Sequence, residues 1–197
     1  MSTETPSSTP VVPGLGLYGP RGWTVSAGVW DVLADCYDEM RSQAVPAAHG
    51  LEPTGLIEHG EPVDDYTPFH DMGPRAARCL LQVLPAEQLE DRQNLSPTLG
   101  ALLRACVRAE GRVRLSGYGI GPQRVDERVS VEAMWVADPD LLEMEVHDRH
   151  DDACRCRELW DAVRERYDLD AQALPDEMSV RRRQWSHGEL GTWLWWD

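Results

Sequence analysis

The residues best equipped for chemistry lie in one stretch, EMEVHDRHDDACRCRELW at positions 143–160. His147, His150, Cys154 and Cys156 supply two imidazoles and two thiols in the order His-x2-His-x3-Cys-x-Cys. Zinc takes a tetrahedral set of such ligands, and four of them this close in sequence can close around one ion. Asp148, Asp151 and Asp152 would draw a cation towards them. The spacing is not that of a finger or ribbon, where two ligand pairs flank a longer arm. A helix beginning at Ala153 would also rotate successive side chains by about 100°. Cys154 and Cys156 would then point to nearly opposite sides. Cys156 would join an apolar stripe, leaving His147, His150 and Cys154 as the chemical set. In a first helical turn the Cys154 thiol would be acidified by the helix dipole, with His147 or His150 as its base. The neighbouring acids oppose a thiolate, and no substrate-binding or oxyanion signature accompanies the pair. A surface thiol beside a capped helix is the simpler reading, and no catalytic residue is assigned.

A second concentration lies at the C-terminus. Arg181, Arg182 and Arg183 precede Trp185, Trp193, Trp195 and Trp196. Interleaved basic and aromatic residues can bind single strands of nucleic acid. The basic run is short and the chain strongly acidic, so stacking of Arg on Trp within a hairpin is the better reading. Strand alternation puts Trp193 and Trp195 on one face and Leu194 and Trp196 on the other. One apolar face must be covered by the core, and the other is a candidate partner-binding patch.

Two weaker signals are read as structural. SGYGIGPQ at 116–123 alternates glycines, but it lacks a P-loop lysine and leads towards another strand rather than a helix, so a hairpin loop is expected. The segment 47–73 holds His59, Glu61, Asp64, Asp65, His70 and Asp71 between Pro and Gly punctuators, and reads as a long solvated loop.

The elements that must position these residues follow from periodicity. Residues 26–44 carry Val29, Val32, Leu33 and Cys36 at helical spacing. Pro74 suits the first turn of a helix whose buried face includes Ala76, Cys79, Leu80 and Val83, closed by Pro85 before a short further turn. Ser96-Pro97 reads as a cap and first residue for a helix carrying Leu99, Leu102, Leu103 and Cys106, stopped at Gly111. A period of two then predicts strands near 112–116, 128–135 and 142–146, a three-stranded antiparallel meander. Asp151 or Asp152 would cap a helix running to Tyr167, and strands 178–185 and 190–196 would form a C-terminal hairpin turning at 186–189. The expected class is α+β, a mostly antiparallel sheet with about four helices packed on it. The first twenty residues, rich in Pro, Ser and Thr, read as a tail before one domain over 21–197.

The chain of 197 residues is 42% hydrophobic and 27% charged, values of a globular protein. It has eight Trp against one Phe, and its nineteen basic residues are all arginine. The first twenty residues lack the basic start and apolar run of a secretory signal. No apolar run approaches the roughly twenty residues of a membrane span. With an odd five cysteines, a reducing cytoplasm is the expected compartment. The net charge of −15 is concentrated in residues 126–177, which hold 17 of the 34 acids against 6 arginines. Such a field repels nucleic acid and anionic membrane, and favours a basic partner or a cation.

Three function classes remain. The simplest is a non-catalytic cytoplasmic protein docking on a basic macromolecular partner, or on a second copy of itself. Its contacts would come from the acidic surface around Asp148, Asp151 and Asp152 or from Trp185, Trp193 and Trp195. The alternatives are a structural zinc site at His147, His150, Cys154 and Cys156, and a thiol enzyme using Cys154. No stretch resembles a known family.

Overall fold

The computed structural model describes residues 14–42, 57–58, 60–62, 65–147, 154–184 and 187–197. In chain order the elements are α1 (Trp23–Ser26), α2 (Val29–Ser42), β1 (Ile57–Glu58), β2 (Glu61–Pro62), β3 (Tyr66–Met72), α3 (Pro74–Val83), α4 (Ala86–Glu90) and α5 (Leu99–Arg108). They continue with β4 (Val113–Ile120), β5 (Arg128–Val136), a 3₁₀ turn (Pro139–Glu143), α6 (Cys156–Tyr167), β6 (Glu177–Gln184) and β7 (His187–Trp195). The class is α+β, as the alternation of periods predicts. β1 and β2 pair with each other, and the other five strands form one antiparallel sheet ordered β3-β4-β5-β7-β6.

The helices sit where the apolar stripes put them, with two displaced starts, those of α5 and α6. The sequence places the cap of α5 at Ser96, but Thr98 caps it, its Oγ1 accepting from Ala101 N at 3.3 Å. The cause is distant in sequence: the Asp170 carboxylate accepts from Thr98 N at 2.8 Å and Thr98 Oγ1 at 2.9 Å, fixing that residue at the helix entrance.

The sheet departs from expectation in three places. Residues 66–72 form edge strand β3 rather than loop. Pro68 disguises it, and an edge strand tolerates a proline because no neighbour needs its N–H. β4 runs through the glycines to Ile120, and a Cβ on Gly119 would come within 2.7 Å of the Trp30 ring. Those glycines allow close packing, and they do not form a connecting loop. Residues 142–146 are not the third meander strand. Pro139 starts a 3₁₀ turn, and the edge of β5 that such a strand would use is taken by β7, with Val136 opposite Thr192. The C-terminal hairpin forms as expected, but Gln184 already pairs with His187, so residues 187–189 belong to β7 and not to the turn.

One row of register partners, Met72, Leu115, Met134, Leu194 and Met178, crosses all five strands and is buried throughout. It packs in one cluster with Trp30 and Leu33 of α2, Leu80 of α3, Leu102 and Leu103 of α5, and Leu159 and Trp160 of α6. The next row, Ser116, Ala133, Trp195 and Glu177, lies on the opposite face. That face is concave. In a flat sheet the edge strands β3 and β6 would stand about 19 Å apart, yet Arg183 of β6 donates to Asp71 of β3, from Nε to Oδ1 at 2.8 Å and from Nη2 to Oδ2 at 2.6 Å. The sheet therefore curls until its two edges meet through this ion pair. No helix among the described residues is long and apolar enough to cross a membrane.

Candidate functional site

Inside the curl lies a cavity of about 230 Å³, and every strand of the large sheet contributes to its wall. β3 supplies His70, β4 Ser116, β5 Glu132 and Ala133, β7 Trp193 and Trp195, and β6 Glu177 and Arg181. Alternation alone explains the tryptophans: Trp193 and Trp195 face the cavity, while Leu194 and Trp196, buried to 0% and 1% exposure, face the core.

Glu132 has a different origin. Ser116 pairs with Ala133 and Gly117 with Val131, so Glu132 is the extra residue of a β-bulge. Its carbonyl is left to accept from Trp196 N at 2.9 Å. Its carboxylate has no hydrogen bond or ion pair among the described residues, and its pKa is raised, chiefly by burial and then by the charge of Asp197. Burial likewise lowers the pKa of His70, whose Nδ1 is enclosed without a hydrogen-bond partner among the described residues. Opposite them, the Arg181 guanidinium lies 5.5 Å from the centre of the Trp193 ring. Its Nε donates to Ser179 Oγ at 2.9 Å, and its Nη2 pairs with the Glu177 carboxylate. A cation thus already rests between an indole face and a carboxylate at the cavity wall.

The histidine–cysteine stretch is arranged otherwise than a helix from Ala153 would make it. Helix α6 starts at Cys156, with Arg155 at its N-cap position. Cys154 therefore precedes the helix, and the 100° rotation that would separate the two thiols does not apply between them. Burial raises the pKa of the Cys156 thiol, and so, next in size, does its hydrogen bond with the neighbouring Cys154 side chain. The two thiols are neighbours, and Cys156, partly buried, packs against the core as its place in the apolar stripe predicts. His147 N donates to Cys154 Sγ at 3.3 Å, while His147 Nε2 lies 3.1 Å from Glu145 Oε1. His150, Asp148, Asp151 and Asp152 lie outside the described residues, as does Trp185. Among the described residues, no group of three or more His, Cys, Asp or Glu side chains could hold a metal ion.

Other candidates find structural roles. Of the acid–histidine segment, His70 lines the cavity and Asp71, with φ of 55°, closes the curl; His59 and Asp64 lie outside the described residues. Arg182 donates to Gly188 O at 2.9 Å across the hairpin. The Cys106 thiol, pushed up to about 12 by burial, belongs to the core.

Sequence reasoning finds Trp193 and Trp195 but passes over His70, Glu132, Glu177 and Arg181 as cavity residues. Glu132 and Glu177 read as polar positions of half-buried strands, and only the curl turns that face into a site. Comparison of the chain with protein-family models, curated proteins and solved structures finds no match.

Proposed function

We propose that this chain is a non-catalytic, cytoplasmic binding protein that docks on a macromolecular partner through the concave face around its Trp-rich C-terminal hairpin. The observation carrying this reading is the cavity to which all five strands contribute and into which Trp193 and Trp195 are turned. Half-buried tryptophans in a recess are the residue type and setting in which binding energy concentrates. The net charge of −15 supports a basic partner, steered towards the site by the field of the whole molecule. The acids Asp148, Asp151 and Asp152 would extend the acidic surface. Immobilised full-length chain should retain such a partner and lose it by about tenfold or more on Trp195→Ala, the cost of truncating a central anchor. Retention untouched by that change and by Asn at positions 148, 151 and 152 would sink the reading. A second copy of the chain recovered in this way would make the surface a self-association interface.

A second reading, a structural zinc site at His147, His150, Cys154 and Cys156, is favoured by the late start of α6, which leaves the two thiols side by side. Elemental analysis of protein purified without chelator tests it. One equivalent of zinc, lost on Cys154→Ser, is the expected result, and metal well below one equivalent in every preparation counts against it.

A further inference from the structure

The concave cavity has a size, a charge and an aromatic lining that together specify one kind of occupant. We propose that it receives the cationic end of a single arginine or lysine side chain presented by a partner protein. This proposal rests on the docking function above and names what that docking face recognises.

Size comes first. Pockets for cofactors and drug-sized ligands run from about 300 to 1,000 Å³, and this cavity holds about 230 Å³. One long side chain suits it better than a free cofactor.

Chemistry narrows the choice further. Indole rings attract cations through their negative faces, most strongly where water is excluded. Trp193 and Trp195 stand on one strand, two residues apart and turned the same way. The Glu132 carboxylate faces the same space, half-buried and without a hydrogen bond or ion pair among the described residues. A half-buried carboxylate without a countercharge is costly, and an incoming ammonium or guanidinium relieves that cost by pairing with it.

The wall itself holds a precedent. The Arg181 guanidinium occupies this type of environment, over Trp193 and against Glu177. A ligand cation would take the corresponding place beside Trp195 and Glu132. The arrangement disfavours anions: a carboxylate or phosphate entering here would face the Glu132 and Glu177 carboxylates, and the wall's Arg181 is already paired with Glu177.

The test uses the full chain with its tryptophan indole N–H signals resolved by NMR. The probes are three capped tripeptides, Gly-Arg-Gly, Gly-Lys-Gly and Gly-Glu-Gly. The Arg and Lys peptides should shift the Trp193 and Trp195 indole signals saturably, and the Glu peptide should not. Glu132→Gln should weaken the Arg peptide by about tenfold or more, while Glu165→Gln, at an exposed position on α6, should change it less than about twofold. An unchanged spectrum of the core indoles of Trp30 and Trp160 shows that each variant is folded. Three results would each overturn the proposal: no saturable shift below about 10 mM, equal shifts from the Glu peptide, or equal weakening by Glu132→Gln and Glu165→Gln. The last would mean that only the general acidic field is at work. The two readings fail separately. Partner capture that is lost on Trp195→Ala but indifferent to Glu132→Gln leaves docking intact and removes the cation. Capture that survives Trp195→Ala removes docking itself.

Discussion

Glu132 shows how much one inserted residue can change. The bulge that sets it on the cavity wall also half-buries its carboxyl, and burial favours the neutral form. The consequence for stability has a definite sign. The folded chain holds this proton to higher pH than the unfolded chain, whose glutamate titrates near its ordinary 4.5. As pH rises from that value through the raised one, the unfolded form releases the proton first, and stability falls. Glu132→Gln removes this penalty. Urea unfolding should therefore find the variant more stable than the parent at pH 7 and level with it below pH ~4, where both chains carry a neutral side chain. A variant less stable than its parent at pH 7 would mean that the carboxylate makes a stabilising contact after all. Buried Glu127 is the contrasting case. It is 0% exposed, yet it is satisfied, accepting from Gly22 N at 2.7 Å and Thr24 N at 2.9 Å. It ties α1 to the connection between β4 and β5, a structural task closed to solvent.

Among the elements, β4 shows packing that only glycine permits. Its glycines are set by what lies against them: the ring of Trp30, 0% exposed, fills the space a side chain at 119 would need. Gly119→Ala should cost about 1–3 kcal/mol, the usual range for overpacking a tight core. The same change in a Trp30→Phe background should cost less, because the smaller ring gives way. Denaturant midpoints of the four proteins check this, and strictly additive losses would mean that the two positions do not compete for the same space. Helix α6 shows the opposite kind of control, since its entrance is set by the chain before it. Arg155 N donates to Glu145 O at 2.9 Å, and Cys154 Sγ accepts from His147 N, holding residues 154–155 outside the helix.

At the scale of the whole molecule, the decisive feature is closure of the sheet on itself. Asp71 side chain, only 10% exposed, takes both arms of Arg183 and lies 3.9 Å from Arg114 Nε. Loss of its charge by Asp71→Asn should release the β6–β7 hairpin from β3 at a cost of about 1–2 kcal/mol, between the values of exposed and buried pairs. Hydrogen exchange should quicken at the Arg181–Gln184 end of β6 and the facing end of β7, while the row from Met72 to Met178 stays protected. Unchanged protection at the hairpin would mean that strand pairing alone holds the curl. Because the cavity exists only while the sheet is curled, this variant should also weaken any ligand that enters there.

What the sequence determined by itself was local. Apolar stripes place α2, α3, α5 and α6, alternation places β5, β6 and β7, and the two faces of Trp193 to Trp196 follow from the two-residue period of a strand. These signals are legible because they depend on neighbours within a few residues. Tertiary structure decided the rest. An edge strand with a proline and an aspartate reads as loop until Phe69, Thr67 and Met72 are seen buried against their partners. Residues 142–146 alternate like a strand, but a strand needs a free edge, and β7, some fifty residues later, occupies it. The cavity is the fullest example. Its wall joins His70 to Trp195 across 125 positions of sequence, and no local pattern encodes a meeting that depends on the accumulated twist of five strands and one ion pair between their outermost members.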